Sequence, residues 1–426
     1  MNNEPNDFLP SEILRLLSKK GKSAFFPKMG ILAQAAKAKG KRYNATIGTA
    51  KDDDGSVMSL KSIAELIDVD PEVVFPYAPG FGRPELRELW QKMLVEKNPN
   101  LAGVKISKPV VTGALTHGLS LLGLLFFNEG EELICPDLYW GNYRLVFEHW
   151  HGVEIKTYQT FKDSGFNVAG LREELLTSGD KKVVILNFPN NPTGYTPLNE
   201  EVLEIVAAFE EALAAGKQIV VFIDDAYFGL VYEEGVIQES LFVRLGNLNK
   251  NLLAVKVDGP TKEDYVWGFR VGFLTYAYKG MSDEAAEALE EKTAGALRGN
   301  ASNISNLSQS LLYKAYSSPN YEAEKQEKFE TLKERYKEVK KTLTDHPEYT
   351  EMFTALPFNS GYFMCVKLRD DVDPAKVYQL LLDEYDTGVI LCDDLLRIAF
   401  SSAPLKDIPH LYENIYKATQ DVLQDK

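Results

Sequence analysis

From Pro109 onward the chain repeats a strand, a loop and a helix, and this alternation limits the fold more than any other feature. Short apolar runs occur at 109–112, 133–135, 182–188, 218–223, 252–257 and 271–276. Between them lie segments with helical period, among them one carrying Leu119, Leu122 and Phe126 and another over 200–215. Strands that alternate with helices predict an α/β fold, a mostly parallel sheet with helices on both faces.

The flanks read differently. Residues 1–28 are polar with scattered aromatics and no period, as in an arm. Helices are expected over 29–39, from a Ser59 cap to residue 67, and from Pro84 to about Val95. Long segments charged on one face lie at 283–295 and 322–344. After the second, strands (362–367, 396–400) mix with helices (374–383, 408–423), which predicts a smaller α+β domain. The expected division is 1–58 for the arm and part of the small domain, 59–320 for the large domain, and 321–426 for the C-terminal small domain.

Charge and cysteine usage narrow the function classes. With 62 acids against 47 bases among 426 residues, the net charge is -15, which disfavours a nucleic-acid backbone as partner. Cys135, Cys365 and Cys392 are widely spaced and suit a reducing compartment. No export signal opens the chain, and the longest apolar stretch, 119–127, is too short to span a bilayer. The expectation is a cytoplasmic protein with neither membrane nor nucleic acid as partner. His149 and His151 have no carboxylate at ligand spacing, so no metal is expected. Gly80-Phe81-Gly82 is only a weak nucleotide signal, because no third glycine follows and no strand precedes it.

Ligands of a parallel α/β sheet bind beyond the carboxyl ends of its strands. Asn191 follows the run 182–188, and Asp224 and Tyr227 follow 218–223. Lys262 follows 252–257 after Gly259-Pro260 breaks the strand, which predicts a loop at a sheet edge, with Arg270 eight positions later. Thr116 lies where the run 109–112 meets its helix, whose free amides favour a phosphate. A partly desolvated lysine amine loses its proton readily and forms an imine with an aldehyde. Together with a carboxylate, phenol, amide, arginine and phosphate nest, such a lysine describes a site for pyridoxal phosphate. The carboxylate keeps the pyridine nitrogen protonated, making the ring an electron sink.

Asn190-Asn191-Pro192-Thr193-Gly194, Asp224-Asp225-Ala226-Tyr227, Lys262 and Arg270 resemble fold type I pyridoxal-phosphate-dependent aminotransferases of class I/II. The likeness runs from residue 29 to the end, and its details are closest to the aspartate/aromatic branch. It implies that Lys262 bears the cofactor and moves the proton at the substrate α-carbon. Asp224 would pair with the ring nitrogen, while Asn191 and Tyr227 would bond the ring oxygen. Arg270 and Thr116, with Ala114 and Leu115 beside them, would hold the phosphate, and Arg397 would grip the substrate carboxylate. Trp140 matches a tryptophan that stacks on the ring, and Gly48 a substrate-covering turn. Tyr77 and Arg298 match residues lent across a homodimer, to the cofactor phosphate and to an acidic substrate side chain respectively.

The resemblance implies transfer of an amino group from an L-amino acid to a 2-oxo acid by a ping-pong route. Arg298 leans towards an aspartate or glutamate donor. The aromatic stretches at Phe25-Phe26, Tyr139-Trp140 and 358–363 lean towards an aromatic one. A lyase of the same fold and a non-catalytic binding protein are the alternatives. The chain departs from the family pattern at Ala114 and Leu115, where small hydroxyl and glycine residues are usual, and at Gly259, where a serine usually helps hold the phosphate. Glu263 and Asp264, directly after the lysine, are expected to favour its ammonium form.

Overall fold

The computed structural model describes residues 20, 30–67 and 69–424. Of the expected arm over 1–28 only Lys20 is among them, and Phe25-Phe26 and Met29 lie outside. From residue 30 onward, α1 (Ile31–Lys37) and β1 (Tyr43–Asn44) come first, and α2 (Pro84–Lys97) then leads into β2 (Val110–Thr112). α3 (Ala114–Phe126), β3 (Glu132–Pro136) and β4 (Glu154–Tyr158) follow, then the hairpin β5 (Phe161–Lys162) and β6 (Gly165–Phe166). Next come α4 (Val168–Leu176), β7 (Lys181–Asn187), α5 (Asn199–Ala214), β8 (Gln218–Asp224), β9 (Leu252–Asp258) and β10 (Gly272–Ala277).

Seven strands form one sheet in the order β2-β10-β9-β8-β7-β3-β4. β10 runs antiparallel to both neighbours, and the pairs from β9 to β4 are parallel. Side chains alternate between faces along each strand. Val183 and Ile185 of β7 accordingly join one core with Leu119 and Leu122 of α3. Val184 and Leu186 join a second core with Leu171 of α4 and Phe209 of α5. Helices therefore cover both faces, as the alternation predicts.

Three further helices, α6 (Asp283–Asn300), α7 (Asn306–Tyr316) and α8 (Tyr321–Asp345), lead to a second sheet. It is built from β11 (Phe353–Ala355) and β12 (Met364–Leu368), then, after α9 (Pro374–Asp383) and β13 (Thr387–Gly388), from β14 (Ile390–Cys392) and β15 (Leu395–Ile398). Its order is β11-β12-β15-β14, all antiparallel, and α10 (Ile408–Gln424) ends the described chain. β1 pairs in parallel with β13 in a separate two-stranded sheet, so the segment ahead of the large sheet joins the C-terminal part of the chain.

The structure corrects several expectations. Ser59 caps no helix: a short one, Lys61–Ala64, starts from Leu60 without a side-chain cap. β4 escapes a hydrophobic reading because it is an edge strand bearing Glu154 and Lys156. β9 lies inside the sheet, and Lys262 follows its carboxyl end on the helical turn Pro260–Glu263 rather than in an irregular loop. Gly82 has φ +98° and a Cβ there would sit 2.0 Å from Val111 Cγ2, so close packing accounts for its glycine. Among the described residues no helix is long and apolar enough to cross a membrane.

Candidate active site

β2, β3, β7, β8 and β9 point the same way, so their carboxyl ends share one edge of the sheet. A cavity of about 530 Å³ opens there. It is lined from the large sheet by Ala114, Leu115 and Thr116 after β2, Trp140 after β3 and Asn191 after β7. Asp224 and Tyr227 close it at β8, Lys262 and Arg270 at β9, and Gly48 and Arg397 enter from the other side. Two residues singled out in the sequence stand apart. Tyr77 is 89% exposed, and Arg298, in the last turn of α6, is exposed and donates to Ser302 Oγ at 2.9 Å.

Asp224 ends β8 as a buried side chain. Burial raises its carboxyl pKa; the Tyr143 hydroxyl, the Lys262 ammonium and the Ala226 amide oppose that rise. Tyr143 Oη donates to Asp224 Oδ2 at 2.5 Å, and Ala226 N donates to Oδ1 at 3.2 Å. The sequence reading did not single out Tyr143. It follows Trp140 by three residues in a turn whose Tyr143 N–H donates to Trp140 O, and the two rings meet edge-on. That spacing was the available signal.

The Lys262 amine lies 5.1 Å from the centre of the Tyr227 ring. Desolvation lowers its pKa to about 8, with Asp224 opposing the fall and Arg270 adding to it. Glu263 and Asp264 do not face the amine, contrary to expectation. Glu263 Oε1 accepts from Lys97 at 2.7 Å and Lys325 at 2.6 Å, and Asp264 accepts from Tyr316 and Tyr321 at 2.8 and 2.7 Å. Burial likewise raises the pKa of the Tyr227 phenol, so it stays protonated.

Arg397 reaches across from β15. It donates to Asn191 Oδ1 at 3.1 Å and Thr46 O at 3.0 Å, and its guanidinium lies 4.3 Å from the Phe363 ring centre. Its Nε is buried without a partner. Asn191 N in turn donates to Asn187 Oδ1, and Asn187 Nδ2 to Asp224 O, which ties both sheets into one network. Trp267 Nε1 donates to Gly48 O at 3.0 Å and packs that glycine over the cavity. Thr261 also lines the cavity, and its hydroxyl is buried without a partner.

Gly259 has a steric origin. A Cβ there would lie 2.9 Å from Gly272 Cα and from Val271 O, so the close approach of β9 and β10 admits only glycine. Ala114 takes φ 65° and Arg270 φ 55°, left-handed backbone at two cavity residues that are not glycine.

Chemically, the cavity joins a weakly basic amine, a buried carboxylate, a phenol and two guanidinium groups, which suits binding an anionic aldehyde and moving protons beside it. Comparison with known proteins agrees. The model of the family "Aminotransferase class I and II" matches residues 44–415. A solved aminotransferase from Anaerococcus prevotii superposes with a TM-score of 0.84 at 25% identity, covering 95% of this chain and 99% of that one. The cytoplasmic aspartate aminotransferase of Saccharomyces cerevisiae shares the fold, with a TM-score of 0.76 at 17% identity over 97% of this chain and 100% of that one. In sequence, the chain is 27% identical over 200 residues to a probable aspartate/prephenate aminotransferase of Aquifex aeolicus, 46% of this chain and 48% of the relative. It is 24% identical over 301 residues to the aspartate aminotransferase of Geobacillus stearothermophilus, 69% of this chain and 68% of that relative. The chain thus spans about half the length of the first relative and two thirds of the second. With its family model matched over nearly the whole described chain, this protein belongs to the class I and II aminotransferases, whose members use pyridoxal phosphate.

Proposed function

We propose that the protein transfers an amino group from an L-amino acid, of the aspartate/glutamate or aromatic type, to a 2-oxo acid by a ping-pong route. The observation that carries this reading is the joint presence in one cavity of the Lys262 amine, its basicity lowered by burial, and the buried Asp224 carboxylate. The residues fit pyridoxal phosphate. A buried hydroxyl without a partner, Thr261 Oγ1, lines the cavity with Thr116 and Arg270, as a phosphate site needs. When bound, the cofactor supplies an aldehyde and an electron-withdrawing ring.

In this reading Lys262 holds the cofactor and carries the proton at the substrate α-carbon. Asp224 keeps its negative charge against the ring nitrogen, assisted by Tyr143. Asn191 and Tyr227 donate to the ring oxygen, and Trp140 covers the ring. Ala114, Leu115, Thr116, Thr261 and Arg270 surround the phosphate. Arg397 takes the substrate carboxylate with its fork, and Gly48 closes over it. Glu263 and Asp264, one of two features that favour a non-catalytic binding protein, the other being the sparse phosphate nest, pair away from the amine.

The same reading makes the protein a homodimer with shared sites. Tyr77 and Phe75 are 89% and 83% exposed, and Arg298 lies outside its own chain's cavity, which suits contact with a second copy. It divides the chain into 1–58, 59–320 and 321–426, with small-domain residues on both sides of the large one, in keeping with the β1–β13 pairing. A cytoplasmic location accords with three free cysteines.

Addition of pyridoxal phosphate to the purified protein is expected to produce an absorbance band that amino donors bleach and 2-oxo acids restore. No band, or full turnover by Lys262→Ala, would refute the proposal. Pyruvate and ammonia released without any 2-oxo acid would select the lyase instead.

A further inference from the structure

Glu263 and Asp264 follow Lys262 directly, yet neither lines the cavity. Both are buried, and two buried carboxylates beside an amine that must shed its proton need compensation. It comes from two helices far apart in sequence. Lys97 ends α2 and Lys325 lies in the first turns of α8; their ammonium groups share Glu263 Oε1, and Lys325 also reaches Asp264 Oδ1 at 3.2 Å. The Tyr316 and Tyr321 hydroxyls occupy the two Asp264 oxygens. Two negative charges thus meet two positive ones, and the set is neutral.

We propose that Lys97 and Lys325 are positioning residues for Lys262, clamping Glu263-Asp264 behind the loop so that the amine is presented to the cavity and not drawn to those acids. The proposal rests on the aminotransferase reading of the cavity. It accounts for a pair of acids at a place where chemistry would otherwise disfavour them. The loop they anchor has a left-handed residue, Tyr265 at φ 59°, immediately after the pair, and Lys262 O accepts from Tyr362 on its other side. The same face of α8 continues the grip: Lys328 pairs with Asp52 at 3.0 Å and Arg335 with Asp53 at 2.8 Å, both shortly after Gly48. One helix therefore holds the lysine turn and the Gly48 segment together.

The test is electrostatic. In the cavity the charged groups around Lys262 are Asp224, Arg270 and Arg397; behind the turn are the clamp itself and, further along the sheet, buried Lys256 with Asp225 and Asp258. Lys325→Met leaves one negative charge uncompensated and Glu263→Gln leaves one positive charge. A single uncompensated charge near a buried amine moves its pKa by about one unit. The full-length protein is titrated twice: by competitive acetylation of Lys262 before cofactor addition, and by the bound cofactor's absorbance afterwards.

Expected results are a midpoint raised in Lys325→Met, lowered in Glu263→Gln and restored in Lys325→Arg. Turnover by Lys325→Met should fall about tenfold, with KM changed far less. Should Lys325→Met fail to fold, Lys97→Met and Glu263→Gln make the same comparison of opposite signs. Shifts of one sign in both variants, or unchanged midpoints with only a lowered melting temperature, would overturn the clamp while leaving the wild-type band and the aminotransferase reading intact. A wild type without a cofactor band would overturn both.

Discussion

Tyr143→Phe removes one hydroxyl and keeps the ring that meets Trp140 and Phe147. The lost contact is the 2.5 Å phenol–carboxylate hydrogen bond to Asp224 Oδ2, leaving only the 3.2 Å amide of Ala226 on the other oxygen. Hydrogen bonds to a charged group are worth about 1.5–3 kcal/mol, which corresponds to about one to two pKa units. The sign follows from the state each partner stabilises. Burial already raises the Asp224 pKa and Tyr143 opposes the rise, so removing the hydroxyl raises it further. The ionised form, which in the proposed role faces the ring nitrogen, is then lost at a higher pH on acidification. The acid limb of kcat/KM should move up by about one to two pH units, with weaker cofactor retention on dialysis. Thermal unfolding of the cofactor-free protein, followed in parallel, separates this from simple loss of stability. A variant with an unmoved acid limb and unchanged cofactor retention would show that Tyr143 only packs.

Three further outcomes are expected. Restoring the family serine with Gly259→Ser should destabilise by about 1–3 kcal/mol in urea unfolding, because its Cβ meets Gly272 Cα and Val271 O at 2.9 Å; tighter cofactor binding without that loss would contradict the steric argument. The Lys262 pKa is lowered to about 8, so the neutral amine becomes dominant as pH rises past that value, and the rate of cofactor capture should climb across the same range in stopped-flow absorbance. Arg397→Lys keeps the charge and loses the fork, and should reduce kcat/KM for amino donors about 10- to 100-fold, chiefly by raising KM.

The sheet was legible because β7, β8 and β9 are seven-residue strands built around short apolar runs, with helices between them. Their register follows from those runs, and with it the placing of Asn191, Asp224 and Lys262 at one edge. The same logic could not reach β4, whose exposed edge tolerates Glu154 and Lys156, or the cap at Ser59, where local propensity gave way to the packing of Ile63 and Leu60. Site residues were found where a strand end marks them. Tyr143 and Thr261 were missed because their importance lies in what they meet, a carboxylate 81 positions away for one and an open cavity for the other. Tyr77 and Arg298 are not brought to the cavity within one chain, and the roles proposed for them require a second copy.

The acids after Lys262 show most directly where local reading ends. Charge along a sequence predicts electrostatics only while the charges remain in water, where nearby ones dominate. In the fold, Glu263 and Asp264 are buried, and what the amine experiences is set by which cations share that burial. Lys97 is 166 positions away and Lys325 is 62. Neither has any mark in its own neighbourhood, being one more lysine on a charged helix. Backbone direction decides the rest: the turn Pro260–Glu263 places Lys262 toward the cavity and its two neighbours toward α2 and α8. A pair of residues that argues against imine chemistry in one dimension is thereby made compatible with it in three, and the sign of the Glu263→Gln shift measures that conversion.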